Sequence, residues 1–236
     1  MTQPLILAFD TSGPHCAIAL LQGETVLASR FEEMAKGQAE RLMPLIEATL
    51  AEDGLPLDVL DAIAVGIGPG NFTGIRIAVS AARGLALALG TPAIGVSNFE
   101  VMRGPNSRRD HEPQLVSLPA PRGTVFLQAF KDGREDGQAH MLRTLQDPFW
   151  ELFDASASRP ILGQWAEDLA LYHPPSYDPS GPPAQDRELP ARLSAQIIGA
   201  IAADKLADGH DHPRPAPLYI KPADAAPSRE AGPTIL

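Results

Sequence analysis

Residues 65–90 read VGIGPGNFTGIRIAVSAARGLALALG, a glycine-rich turn that runs straight into a helix of small and apolar residues. The segment before it, DAIAVGIG (61–68), is a compact apolar strand, Thr73 is a candidate N-cap, and the helix runs to about Leu89. TPAIGVS (91–97) then reads as another buried strand, which makes the block a strand–helix–strand crossover. A dinucleotide fingerprint needs G-x-G-x-x-G, but counting from Gly66 puts Asn71 in the third glycine position, and counting from Gly68 puts Thr73 there. A phosphate loop ending in Gly-Lys-Ser/Thr needs a lysine, and the chain has none between Lys36 and Lys131. Two readings remain open: free amides at the helix start that cradle an anion, or glycines that simply permit the turn.

The helix is apolar almost all round. Ile75, Ile77, Ala78, Val79, Ala81, Ala82, Leu85, Ala86, Leu87, Ala88 and Leu89 cover its sides, with only Arg76, Ser80 and Arg83 polar. Such a helix is expected to be covered all round. One face can lie on a sheet, and the other needs a second helix or another protein, with Ala78, Ala81, Ala82 and Gly84 permitting close approach. The neighbouring helix at 38–52 offers Met43 and Leu50 to supplement such a surface. Partner interface and full intramolecular burial both satisfy the pattern.

Outward from this block, LILAFDTSG, HCAIALLQG and ETVLASRF read as three alternating strands, an antiparallel meander. Leu42, Leu45, Ile46, Thr49 and Leu50 recur at helical spacing, with Pro44 inside the run as a kink or first-turn residue and Gly54 as the stop. The first hundred residues therefore spell β-β-β-α-β-α-β around a mixed sheet. The turn-rich MRGPNSRRDHEP (102–113) is the best internal boundary, followed by the strands QLVSLPA and TVFLQAF. HPPSYDPSGPP (173–183) is expected to be irregular, residues 190–207 to form an amphipathic helix that returns to the first half, and the tail after Gly209 to be poorly ordered apart from PLYIKP.

Composition narrows the function classes. With 236 residues, 44% hydrophobic and 20% charged, the chain is long enough for a sizeable core. Its apolar runs are broken before about 20 residues, so no membrane span is expected. The single cysteine, Cys16, excludes an intrachain disulfide and suits a reducing cytoplasm. A formal charge of -10 repels phosphate backbones, so contact with RNA would need a local basic patch or a basic partner. Ser97 lacks the second glycine of a nucleophile elbow and reads as a helix cap. His111-Glu112 is followed by Pro113, with Leu115 where a zincin's second histidine belongs, while His210 and His212 read as a solvated tail rather than a metal site. The turn DTSG (10–13) puts a carboxylate and two hydroxyls at a hairpin tip, where phosphate, metal or nothing at all can bind.

LILAFDTSGPHCAIALL (5–21), RLMPLIEATL (41–50), AVGIGPGNFTGIRIAVSAARGLALALGTPAIGVS (64–97) and PLYIKP (217–222) together resemble the TsaB (YeaZ) family, whose members are dimerisation subunits in threonylcarbamoyladenosine formation on tRNA. The resemblance implies an α/β fold of the actin-like ATPase (ASKHA) superfamily, two lobes each with a mixed β-sheet flanked by helices. Lobe one would span 1–103, completed by the helix at 190–207, with a smaller lobe at 104–189 and an extended tail at 209–236. It implies a non-catalytic scaffold that binds the catalytic paralogue TsaD, helps to seat the small ATPase TsaE, forms a homodimer when alone, and meets tRNA only through the complex. The pairing surface would involve Met43, Leu50, Ile75, Arg76, Ala78, Val79, Ala82, Arg83 and Ala86. Asp10, Thr11 and Ser12 would be at most a vestigial nucleotide loop; no cofactor is required, with ATP or ADP expected at or near the partner interface. TsaD holds its metal through an H-x-x-x-H motif, and the corresponding stretch here is Asn98-Phe99-Glu100-Val101-Met102. The competing readings are an autonomous ATPase or kinase of the same fold, which needs a second phosphate loop, and a metallopeptidase, which needs the missing histidines. Gln38 replaces a frequent histidine, Asn71 a usual serine, and Pro119-Ala120-Pro121 a usual D-A-R turn.

Overall fold

A computed structural model describes residues 3–144, 160–171, 184–209 and 212–220. The meander is β1 (Leu5–Asp10), β2 (His15–Gln22) and β3 (Thr25–Glu33). It is followed by α1 (Gln38–Ala51), β4 (Ala62–Gly66), α2 (Phe72–Leu89) and β5 (Ala93–Val96), the order read from the sequence. These strands form one five-stranded sheet in the order β3-β2-β1-β4-β5. β1 is antiparallel to β2 and parallel to β4, and β4 is parallel to β5.

Alternation in these strands sorts side chains by size. Leu7, Phe9, Ile18, Leu20, Ile63 and Val65 point to one face, where α1 and α2 lie. Ala8, Ala17, Ala19, Ala62 and Ala64 point to the other, where the alanines let the final helix α5 (Ser194–Ala207) approach closely. A Cβ added at Gly199 of α5 would overlap the Leu21 side chain. Both faces are covered, which is why LILAF reads as an unbroken apolar run.

Pro44 lies inside α1, whose Leu42, Leu45, Ile46, Thr49 and Leu50 are buried as the spacing predicts. α2 begins earlier than expected: Asn71, not Thr73, is the N-cap, its side chain accepting from the Gly74 amide. The expectation that no segment is long enough for a bilayer meets one exception. Among the described residues α2 alone, 18 residues with a mean hydropathy of 1.4, is long and apolar enough to cross a membrane. Here one side of it lies on the sheet instead, and Arg76 and Arg83 are on the exposed side.

The second sheet lies beyond α3 (Asn98–Arg103), a helix whose last two residues begin the turn-rich boundary segment. Its strands are β6 (Gln114–Pro119), β7 (Val125–Lys131), β8 (Arg134–Glu135), β9 (His140–Leu142), β10 (Ile161–Gly163) and β11 (Gln185–Asp186), ordered β11-β10-β6-β7-β8 with β9 on β7; α4 (Ala166–Ala170) packs against it. Phe99 and Met102 of α3 pack with Val116, Leu118, Phe126 and Phe130, joining the two sheets through one apolar cluster. The cation of Lys205 on α5 bonds the Gly95 carbonyl (2.9 Å) and the buried Glu100 carboxylate (2.8 Å), tying α5 to α3. The proline-rich 173–183 and the tail from 221 lie outside the described residues. Of the expected PLYIKP motif, residues 217–220 run back across the first sheet: the Leu218 amide donates to the Ile67 carbonyl at 2.9 Å.

The glycines of the opening block have distinct burdens. A Cβ on Gly74 would overlap the Thr11 carbonyl oxygen, and one on Gly70 the Ser12 carbonyl oxygen, whereas one on Gly84 meets nothing within 4 Å. Gly74→Ala is expected to lower unfolding free energy by about 3 kcal/mol through overpacking. Gly84→Ala should raise it by about 1 kcal/mol through helix propensity. Urea unfolding of the two variants checks the contrast; a neutral Gly74→Ala would contradict the packing.

Candidate functional site

Asp10 ends β1, Thr11 and Ser12 follow it, and all three are buried, at 0%, 0% and 4% exposure. Their polar groups bond within the chain. Thr11 Oγ1 donates to the Gly74 carbonyl (2.7 Å), and the Asn71 amide donates to the Ser12 carbonyl (2.7 Å). The Ser12 amide donates to Asp10 Oδ1 (2.8 Å), and Asp10 Oδ2 is 3.1 Å from Nε2 of the buried His15. Asn98 closes the cluster from α3: its Nδ2 donates to Ser12 Oγ (3.0 Å) and the Pro69 carbonyl (2.7 Å), and its amide to the Gly68 carbonyl (2.7 Å). The hairpin, the glycine block and α3 are thus stapled together.

Burial alone would raise the Asp10 carboxyl. The hydrogen bond and charge of His15 and the Ser12 amide outweigh it and hold the group below the usual carboxylate range. The Cys16 thiol is pushed up to about 12, first by burial and then by the Glu32 and Asp10 carboxylates, which leaves it unreactive.

The resemblance read from the sequence implies a nucleotide loop on this hairpin. A phosphate loop must turn its hydroxyls and carboxylate towards the nucleotide and its cation; here the carboxylate and the Thr11 hydroxyl face the chain's own loops, and glycine Cα atoms fill the space against them. The side chains of Asp10, Thr11 and Ser12 in this arrangement do not fit a nucleotide. They act as a brace.

The expected pairing residues divide in two. Leu50, Ile75, Ala78, Val79, Ala82 and Ala86 are at most 6% exposed and pack on the sheet, so they are not surface residues. The cause is helical phase: Gly74 must face Thr11, so Ala78, Ala82 and Ala86, at steps of four, face the sheet with it. Met43, Arg76 and Arg83 are exposed. Around them α2 presents Phe72 (53% exposed), Ser80, Gly84 and Leu87 (80% exposed). The Arg76 guanidinium lies 3.7 Å from the Phe72 ring centroid and donates to the Tyr219 hydroxyl (2.7 Å), with Tyr219 stacked on Phe72.

Several residues here were not singled out from the sequence. Ser97 caps α3 as expected, but its partner Glu100 completes a capping box that the spacing Ser-x-x-Glu carries openly. Asn98 has no local signal, because its partners Ser12 and Pro69 are distant in the chain, whereas His15 meets Asp10 only five residues away, across the hairpin.

The family model described as TsaD: tRNA N6-adenosine threonylcarbamoyltransferase matches residues 27–144. An uncharacterised protein of Mycobacterium tuberculosis is 33% identical over 226 residues, 94% of each chain. The tRNA threonylcarbamoyladenosine biosynthesis protein TsaB of Escherichia coli is 37% identical over 122 residues, 51% of this chain and 52% of that protein. Among solved structures, YeaZ from Pseudomonas aeruginosa is 28% identical with a TM-score of 0.65, covering 92% of this chain and all of that one. At the level of fold, the two-sheet architecture is shared with a ROK family protein of Streptococcus pneumoniae, 10% identical with a TM-score of 0.50, covering 86% of this chain and 99% of that one.

The brace predicts a pH signature. Because the folded Asp10 carboxyl titrates below its unfolded value, its stabilisation is full above the unfolded pKa of about 3.9 and is lost as pH falls through the folded value. Asp10→Asn should cost roughly 2 kcal/mol at pH 7, and the gap to the unaltered chain should narrow below about pH 4. Denaturant melts from pH 7 to pH 3 test this; a pH-independent gap contradicts it.

Proposed function

We propose, on the premise that the chain belongs to the TsaB (YeaZ) family and so takes part in tRNA threonylcarbamoyladenosine biosynthesis, that it is the non-catalytic scaffold of that reaction. It docks the catalytic paralogue TsaD through the exposed sides of α1 and α2 and holds it in its active arrangement. The small ATPase TsaE binds the surface so formed, and without TsaD the same face pairs two copies of the chain. The setting is the cytoplasm, and the chain needs no resident cofactor; ATP or ADP near the partner interface is a ligand of the assembled complex rather than of the Asp10–Ser12 brace.

The observation that carries this reading is the outward side of α2. Leu87 is 80% and Phe72 53% exposed on a helix whose opposite side already covers the sheet, and Met43 of α1 is exposed as well. Small residues at Ser80 and Gly84 leave room for a partner helix to approach. Desolvating such a surface supplies about 25 cal/mol per Å² before the costs of docking.

The test is a pair of aspartate substitutions read by light scattering, thermal melting and pull-down of TsaD. Leu87→Asp should abolish pairing while leaving the melting temperature within about 2 °C, since an exposed site contributes little to folding. Val79→Asp buries a charge against the sheet and should lose several kcal/mol of stability. Full pairing by folded Leu87→Asp protein would overturn the placement.

A further inference from the structure

A second feature of α2 lies at its far end. Its last turns, the turn into β5 and the returning C-terminal segment enclose a cleft of about 510 Å³, lined by Arg83, Leu87, Thr91, Pro92, His212 and Arg214 among others. Among the described residues no carboxylate lines it. This is unusual in a chain of net charge -10. Arg30, Arg41, Arg103, Arg108, Arg109 and Arg192 each face an aspartate or glutamate. Arg83, Arg214 and His212 have no ion pair or hydrogen bond among the described residues, and the Thr91 hydroxyl is buried without a partner. Three cationic or protonatable groups and one free hydroxyl therefore converge where no described carboxylate neutralises them.

The cleft is held in shape from both sides. Pro215 packs against Gly95, Leu218 bonds the Ile67 carbonyl, and Tyr219 is fixed by Phe72 and Arg76, so the segment bearing His212 and Arg214 is anchored to β5 and to the start of α2. Pro92, Ala86 and Ala93 give it an apolar wall beside the charges, and Leu87 marks where the cleft borders the proposed docking side of α2. Guanidinium forks matched to oxyanions, a hydroxyl donor and an apolar wall are the chemistry that receives a phosphate with its sugar or base alongside.

We propose that this cleft is a phosphate-binding site that takes a backbone phosphate of tRNA, giving an acidic subunit the local basic patch that contact with RNA requires. The proposal rests on the scaffold reading above for the presence of tRNA. The same groups also lie at the C-terminal end of α2, where cations ease the helix dipole. A dipole role would change stability and leave RNA affinity alone, so the two are separable.

The experiment uses the full chain in complex with TsaD, comparing the unaltered chain, Arg214→Glu and Arg214→Lys. Complex formation is measured by light scattering, and binding of labelled tRNA and of labelled ADP by fluorescence anisotropy over a salt series. Arg214→Glu should weaken tRNA binding about tenfold and flatten the salt dependence by roughly one phosphate contact. ADP binding should not change, and Arg214→Lys should restore most of the tRNA affinity. Unchanged tRNA affinity in an intact Arg214→Glu complex overturns the site, as does a loss confined to ADP. Failure of the unaltered chain to form the complex would instead strike at the scaffold reading.

Discussion

The approach of the first turn of α2 to the Asp10–Gly13 hairpin is the contact on which the rest of the structure depends. Gly74 and Gly70 let helix and loop backbone reach the Thr11 and Ser12 carbonyls, and any side chain there would collide with them. Once Gly74 is pressed against Thr11, the phase of the whole helix is set. Ala78, Ala82 and Ala86 must follow it onto the sheet, and Ser80, Gly84 and Leu87 must face away. The hairpin is a fastening, and the fastening determines which side of α2 faces away from the sheet.

Much of this was legible in the chain. The meander, both crossover strands, α1, α2 and the return of the last helix follow from alternation, helical spacing and turn residues, and the G-P-G-x-F-T-G-x-R block with the flanking segments points to the family. The outward side of α2 was not read correctly. Alanine, valine, isoleucine and leucine occupy every side of it, so hydrophobicity has no phase to report, and six of the nine residues expected at the surface are buried. The informative signal was size: Gly74, Ala78, Ala82 and Ala86 at steps of four mark the side of closest approach. Likewise α3 is only six residues long and was hidden between a strand and a polar turn, although Ser97 and Glu100 announce its start.

The electrostatics follow a similar division. Charge totals alone set the chain against RNA, yet totals say nothing about placement. Arg83 and Arg214 are more than a hundred residues apart in sequence and line one cleft because residues 212–220 run back across β5 and the start of α2. That returning segment also supplies Tyr219 to the exposed cluster with Phe72 and Arg76. The segment 212–220 therefore touches both ends of the helix on which the proposed docking and phosphate sites are built.

The central claim is that the chain acts by enabling a catalytic partner. The most direct measurement is threonylcarbamoyl transfer to tRNA by the other purified components, with this chain added or omitted, alongside the chain by itself. The account predicts transfer that depends on the chain and no transfer by the chain alone. Transfer at the same rate without it would contradict the account.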